Sequence, residues 1–119
     1  MTEPFNLDAV FSRRPDEIGA EQYDAWYHDH VIENLAARGF VGAERYAVRC
    51  SKGPDGIQGS ERHLALYRYT GPSSVWREDL KQRIAGGTVQ LPPWFSGIEF
   101  TSWECTPVSG WYEATHDDR

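Results

Sequence analysis

From residue 20 to residue 38 the chain repeats at helical spacing. Tyr23, Tyr27, Val31 and Leu35 fall on one stripe at about 100° per residue, and His30 and Asn34 share it. Proton-carrying groups therefore stand where a core stripe is normally apolar, as in the wall of a pocket. Gly39 is the expected stop of this helix, since glycine is free to take positive φ. On either side the period shortens towards two. Residues 5–13 carry Phe, Val and Phe among polar positions, with Asn6 and Asp8 interrupting, and read as a first strand. Residues 40–50 alternate and hold aromatic and β-branched side chains, which predicts a second strand. SKGPDGIQGS reads as a turn or hairpin loop from its glycine and proline content. Residues 61–69 form the next strand, with Leu64 and Leu66 on one face and His63, Ala65, Tyr67 and Tyr69 on the other. Beyond Gly71-Pro72, Ser73 or Ser74 can cap a second helix to about Ala85, with Val75, Trp76, Leu80 and Ile84 at helical spacing. A last strand is expected over 97–105.

The order β-α-β-β-α-β predicts an α+β domain of the ferredoxin-like, split βαβ kind: a four-stranded antiparallel sheet with two helices on one face. Counted among the four strands, the spatial order is 4-1-3-2. The strands ending at Cys50 and Cys105 are then the outer ones, so an intrachain disulfide would have to bridge the sheet, and both cysteines are read as thiols. One domain spans 1–119, with a core of about 5–106 and a tail over 107–119. Both parities of the third strand are rich in apolar or aromatic groups, so the helix-free face needs a cover. A homodimer is the economical solution.

Composition narrows the partners. The 119 residues are 39% hydrophobic, enough for one core. Net charge is -6 and the basic residues are scattered, which speaks against nucleic acid and against an anionic membrane surface. The opening MTEPFNLDAVFSRRPDE has no cationic run leading into an apolar one, and no window approaches the roughly 18 apolar residues of a span, so the expectation is a cytoplasmic protein. There is no phosphate-binding glycine motif, HExxH, clustered Cys/His set or G-x-S-x-G elbow, so no cofactor and no metal is implied.

The segment YDAWYHDHVIENLAARGFVGAERYAV, followed by ERHLALYRYTGPSSVW, resembles the dimeric α/β-barrel superfamily, and within it the EthD-like small proteins. The likeness lies in W-Y with a histidine three residues after the tyrosine, a short helix ending near G-F, an A-x-R-Y strand and an L-A-L-Y strand, over roughly residues 20–80. It implies a homodimer and makes His30 the recurring histidine of the helix. Members include cofactor-free monooxygenases, isomerases, polyketide cyclases, decarboxylases and haem-degrading enzymes, so fold does not settle chemistry. The chain departs from many relatives in Ala36-Ala37-Arg38, where a proline is common, and in the long segment GGTVQLPPWFSG.

His30 is the first candidate catalytic residue, because an imidazole titrating near pH 6.5 can accept or donate a proton without a metal. His63 is the second. If its face of the strand is the helix-covered one, His63 and His30 approach across a pocket as base and acid; with the opposite parity Leu64, Leu66 and Arg68 face the helices instead. The same alternative governs Arg45 and Tyr46. His28 and Asp29 point away from the stripe and are expected in solvent. Tyr23, Trp26, Tyr27, Asn34, Tyr46, Tyr67 and Trp76 are candidate substrate-binding residues. Trp94 and Phe95, after Pro92-Pro93, are further candidates, as a lid over the site or an arm across a partner. The expected function is a cofactor-independent lyase or isomerase acting on a small aromatic or polyketide-like molecule by histidine acid/base catalysis. A cofactor-free or haem-dependent monooxygenase and a non-catalytic small-molecule binding protein are the alternatives.

Overall fold

The computed structural model describes residues 5–49 and 62–117, together with the backbone of 51–53 and 56–58. The elements run β1 (Asn6–Arg13), α1 (Ala20–Asn34), β2 (Phe40–Val48), β3 (Ser51–Gly53), β4 (Gly56–Gln58), β5 (Arg62–Tyr69), α2 (Ser73–Ala85) and β6 (Glu99–Cys105), with one 3₁₀ turn at Phe95–Gly97. The main sheet is fully antiparallel in the order β2-β5-β1-β6. With β3 and β4 set apart as a small ribbon in the loop, this is the expected 4-1-3-2 order, and the chain has the ferredoxin-like α+β fold. β2 and β6 are the outer strands. Cys105 is an exposed free thiol at the end of β6, whereas Cys50 lies outside the described residues. Among the described residues no helix is long and apolar enough to cross a membrane.

Register decides which side chains meet the helices. Asp8, Val10 and Ser12 of β1 stand opposite Tyr67, Ala65 and His63 of β5, and opposite Glu104, Ser102 and Phe100 of β6. Ser12 receives a hydrogen bond from the Tyr23 hydroxyl of α1, so this set is the helix-covered face. His63 is thereby placed on the helix side. Leu64, Leu66 and Arg68 lie on the other face with Leu7, Phe11 and Trp103.

In β2 the parity changes part-way. Phe40 pairs with Tyr69, but Gly42, not Val41, pairs with Arg68. The extra residue is a bulge, and it inverts every side chain beyond it. Ala43 and Arg45 consequently face the helices, while Glu44 and Tyr46 face away.

Two apolar clusters hold the layers together. The larger joins Tyr23, Tyr27 and Val31 of α1 to Ala65 and Tyr67 of β5, with Ile18 and Ile98 closing one end. The smaller gathers Ala37, Tyr69 and Trp76 around the half-buried Phe40 and Leu80. α1 stops at Asn34, short of Gly39. Bonds from Ala36 N–H to Glu33 and from Ala37 N–H to Asn34 tighten the chain into turns that bury Ala37 against α2. Gly39 still does the work expected of a glycine at φ 95°, and its carbonyl accepts from Thr70 N–H. α2 begins at Ser73 after Pro72, with no side-chain cap from either serine. Asp8 is buried on β1, held by Ser102. Desolvation raises its carboxyl above the usual range, and the Ser102 bond and Arg77 offset only part of that.

Candidate functional site

The stripe of α1 packs on the sheet as the spacing predicts. Tyr23 is fully buried and donates to Ser12 Oγ at 2.8 Å. One turn on, Tyr27 packs edge-on to it at 5.6 Å, and the guanidinium of Arg45 lies over the Tyr27 ring at 4.6 Å, anchored by Asp24 at 2.9 Å. His30 stacks on Trp26 with centroids 4.6 Å apart. Asn34 donates to the Tyr67 hydroxyl at 3.1 Å, tying the end of α1 to the sheet. Trp94 meets Trp26 at 5.0 Å and Tyr23 at 6.1 Å, and Phe95 lies 6.1 Å from His30.

These groups enclose a cavity of about 70 Å³ lined by Val10, Ser12, Tyr23, Trp26, Tyr27, His30, Phe95, Ile98 and Phe100. A larger cleft of about 380 Å³ lies outside it between α1 and the segment before Trp94, lined by Asp29, Glu33, Gln90, Leu91, Pro92 and Pro93. Trp26 and His30 belong to both. The inner cavity is aromatic and adjoins the chemistry, whereas the outer one, though larger, has no residue of the sheet in its wall. Phe95 lines the inner cavity, and Trp94 packs on Trp26 and Tyr23 of its own chain.

No protein-family model matches the chain, and no curated protein is similar to it. What the site can do rests on its own chemistry.

Burial lowers His30 from its ordinary value of 6.5 to about 4. At neutral pH the ring is therefore neutral, with one nitrogen able to accept a proton and the other keeping its N–H. Its Nδ1 is buried and makes no hydrogen bond among the described residues. Tyr27 moves in the opposite direction: desolvation, then the neighbouring Tyr67 and Tyr23, hold its phenol far above the usual range, so it stays a neutral donor. Burial likewise raises Tyr23 and Tyr67.

His63 joins the site from β5 without lining the cavity. Its ring sits 5.1 Å from Tyr23 and 6.4 Å from Tyr27, so Tyr27 touches both imidazoles. The expected direct apposition of His30 and His63 is replaced by an arrangement in which tyrosines stand between their contacts. Tyr46 and Trp76 do not line this cavity. The bulge in β2 sends Tyr46 to the helix-free face, where it is exposed and donates to Glu44 at 2.9 Å. Trp76 faces Phe40 at 5.0 Å in the second cluster. Ser12 and Phe100 line the cavity and were not singled out from the sequence, while Arg45, whose side the sequence left open, faces the helices. Ser12 follows from strand parity once the helix face is known, whereas Arg45 depends on the bulge.

The shift of His30 has a consequence for stability. The unfolded chain takes up a proton through pH 6.5, but the folded chain does so only near pH 4. Stability is therefore intact above pH 6.5 and falls progressively as pH drops towards 4, by up to about 3 kcal/mol from this group. Urea midpoints measured at pH 7.5 and 4.5 are expected to differ less in His30→Asn than in the native protein. An equal difference would show that other groups set the acid limb.

Proposed function

We propose that the protein is a cofactor-independent enzyme of the EthD-like, dimeric α/β-barrel kind. In this reading His30 removes a proton next to a carbonyl in a small aromatic or polyketide-like molecule, opening the way to isomerisation, elimination, cyclisation or decarboxylation. The observation that carries it is a neutral imidazole, making no hydrogen bond at Nδ1 among the described residues, on a residue that lines an aromatic cavity. A base must be free to accept, and His30 has no competing partner among the described residues. Tyr27, kept protonated by burial, donates to the oxygen on which charge develops. Asn34 is engaged with Tyr67 and acts by positioning α1. His63 supports Tyr23 and Tyr27 from below. A second copy of the chain covers the helix-free face.

The depressed basicity of His30 favours a second reading, a non-catalytic carrier whose cavity holds an aromatic ligand without turning it over. Deuterium incorporation at the α carbon of 2-tetralone in D₂O separates the two. The enzyme reading expects exchange above the buffer rate, with kcat/KM level from neutral pH downwards and falling through about pH 4 as His30 protonates. Quenching of tryptophan fluorescence by 2-tetralone without exchange would leave the carrier.

A further inference from the structure

After Cys105 the chain leaves the sheet, and every residue from Thr106 to Asp117 is exposed. The segment is not polar. Val108 is 100% exposed, Trp111 86% and Tyr112 81%, the three most exposed large apolar side chains described. The molecule measures 57 × 38 × 24 Å. Its radius of gyration of 16.8 Å exceeds the roughly 13–14 Å of a compact chain of this length.

We infer that residues 107–117 are an arm exchanged between two copies of this chain, with Val108, Trp111 and Tyr112 of each copy seated on the helix-free sheet face of the other. The inference rests on the covered sheet face of the proposed dimer and adds the element that holds it. Three observations carry it. The receiving face is apolar, with Leu7, Phe11, Leu64 and Leu66 half-buried at its centre and Trp103 exposed at 60% beside them. Charge is complementary, because that face carries Arg62 in addition to the ion pairs Arg13–Glu99 and Arg68–Glu44, whereas 107–117 carries Glu113 and Asp117 with no lysine or arginine. The area is also of the right order. Trp111 and Tyr112 bring roughly 300–500 Å² per arm. Two arms and the surfaces they cover then approach the roughly 1,600 Å² of a standard interface.

The test uses the full chain. Sedimentation velocity across a dilution series is run on the native protein, on the double variant Trp111→Ser/Tyr112→Ser and on Trp103→Glu. The emission of Trp111 is obtained as the difference between the native protein and Trp111→Phe. The arm expects a native dimer with blue-shifted Trp111 emission that moves to the red on dilution. It also expects the double variant to weaken the dimer by at least about 30-fold, as loss of aromatic anchors does. Because both substituted residues are exposed, far-UV circular dichroism of the double variant should match the native protein. An unchanged dimer in the double variant, still broken by Trp103→Glu, overturns the arm and leaves the sheet-face dimer standing. A native monomer at all concentrations overturns both, and blue-shifted Trp111 emission in that monomer would place the arm on its own sheet.

Discussion

Replacing His30 by glutamine is expected to slow α-proton exchange in 2-tetralone by about 10²–10⁴-fold, the usual contribution of a positioned general base. Glutamine retains a polar group of similar reach in place of the ring that stacks on Trp26, but it cannot accept a proton at neutral pH. Because His30 Nδ1 makes no hydrogen bond among the described residues, the substitution breaks none there, and the fold should survive. The loss should fall on kcat with KM little changed, since the aromatic walls that hold the ring of the ligand remain. The pH profile supplies a separate readout: the native fall near pH 4 should vanish with the imidazole. Exchange at the native rate in His30→Gln would remove His30 as the base. An inflection persisting near pH 4 would assign it to another group, with the buried Asp8 the first to examine.

What could be read from the chain divides along physical lines. The stripe Tyr23, Tyr27, His30 and Asn34 was legible because helical periodicity is local, and four residues on one face stay together whatever they pack against. The strand order followed from connection rules acting on correctly recognised elements. The side taken by Tyr46 was undecided because a bulge at Val41 is a property of the pairing between β2 and β5, and a single extra residue reverses all that follows. The side occupied by His63 was undecided for a related reason: β5 is apolar on both faces, so alternation marks a strand without saying which face the helices cover. The early end of α1 escaped because Ala36-Ala37-Arg38 has high helical propensity, yet burial of Ala37 against Trp76 and Tyr69 outweighs it. Asp79 secures that turn by accepting from Arg38 N–H at 2.8 Å. The titration of His30 depends on desolvation by the assembled cavity, so the value near 6.5 expected of an isolated histidine moved to about 4.

Tyr23→Ala should be the most destabilising single substitution in the site, by about 3–5 kcal/mol in urea denaturation, the range found when a buried aromatic core residue is truncated. Tyr23 is fully buried and its ring contacts Trp26, Tyr27, His63 and Trp94 at 5.1 to 6.1 Å, so no rigid neighbour can close the space without moving another. Tyr23→Phe separates packing from the hydroxyl. It keeps the ring and removes only the 2.8 Å bond to Ser12, so about 1 kcal/mol is expected. Trp26→Ala serves as the comparison: that ring is only half-buried and borders the outer cleft, so its truncation leaves less enclosed volume and should cost less. If Tyr23→Ala cost no more than Trp26→Ala, Tyr23 would not be the central packing element of this cluster. The void left by Tyr23 would also merge with the 70 Å³ cavity that the ring borders, so added phenol should restore more stability to Tyr23→Ala than to the native protein. The ring that closes the core is thus the same ring that limits what the cavity can admit.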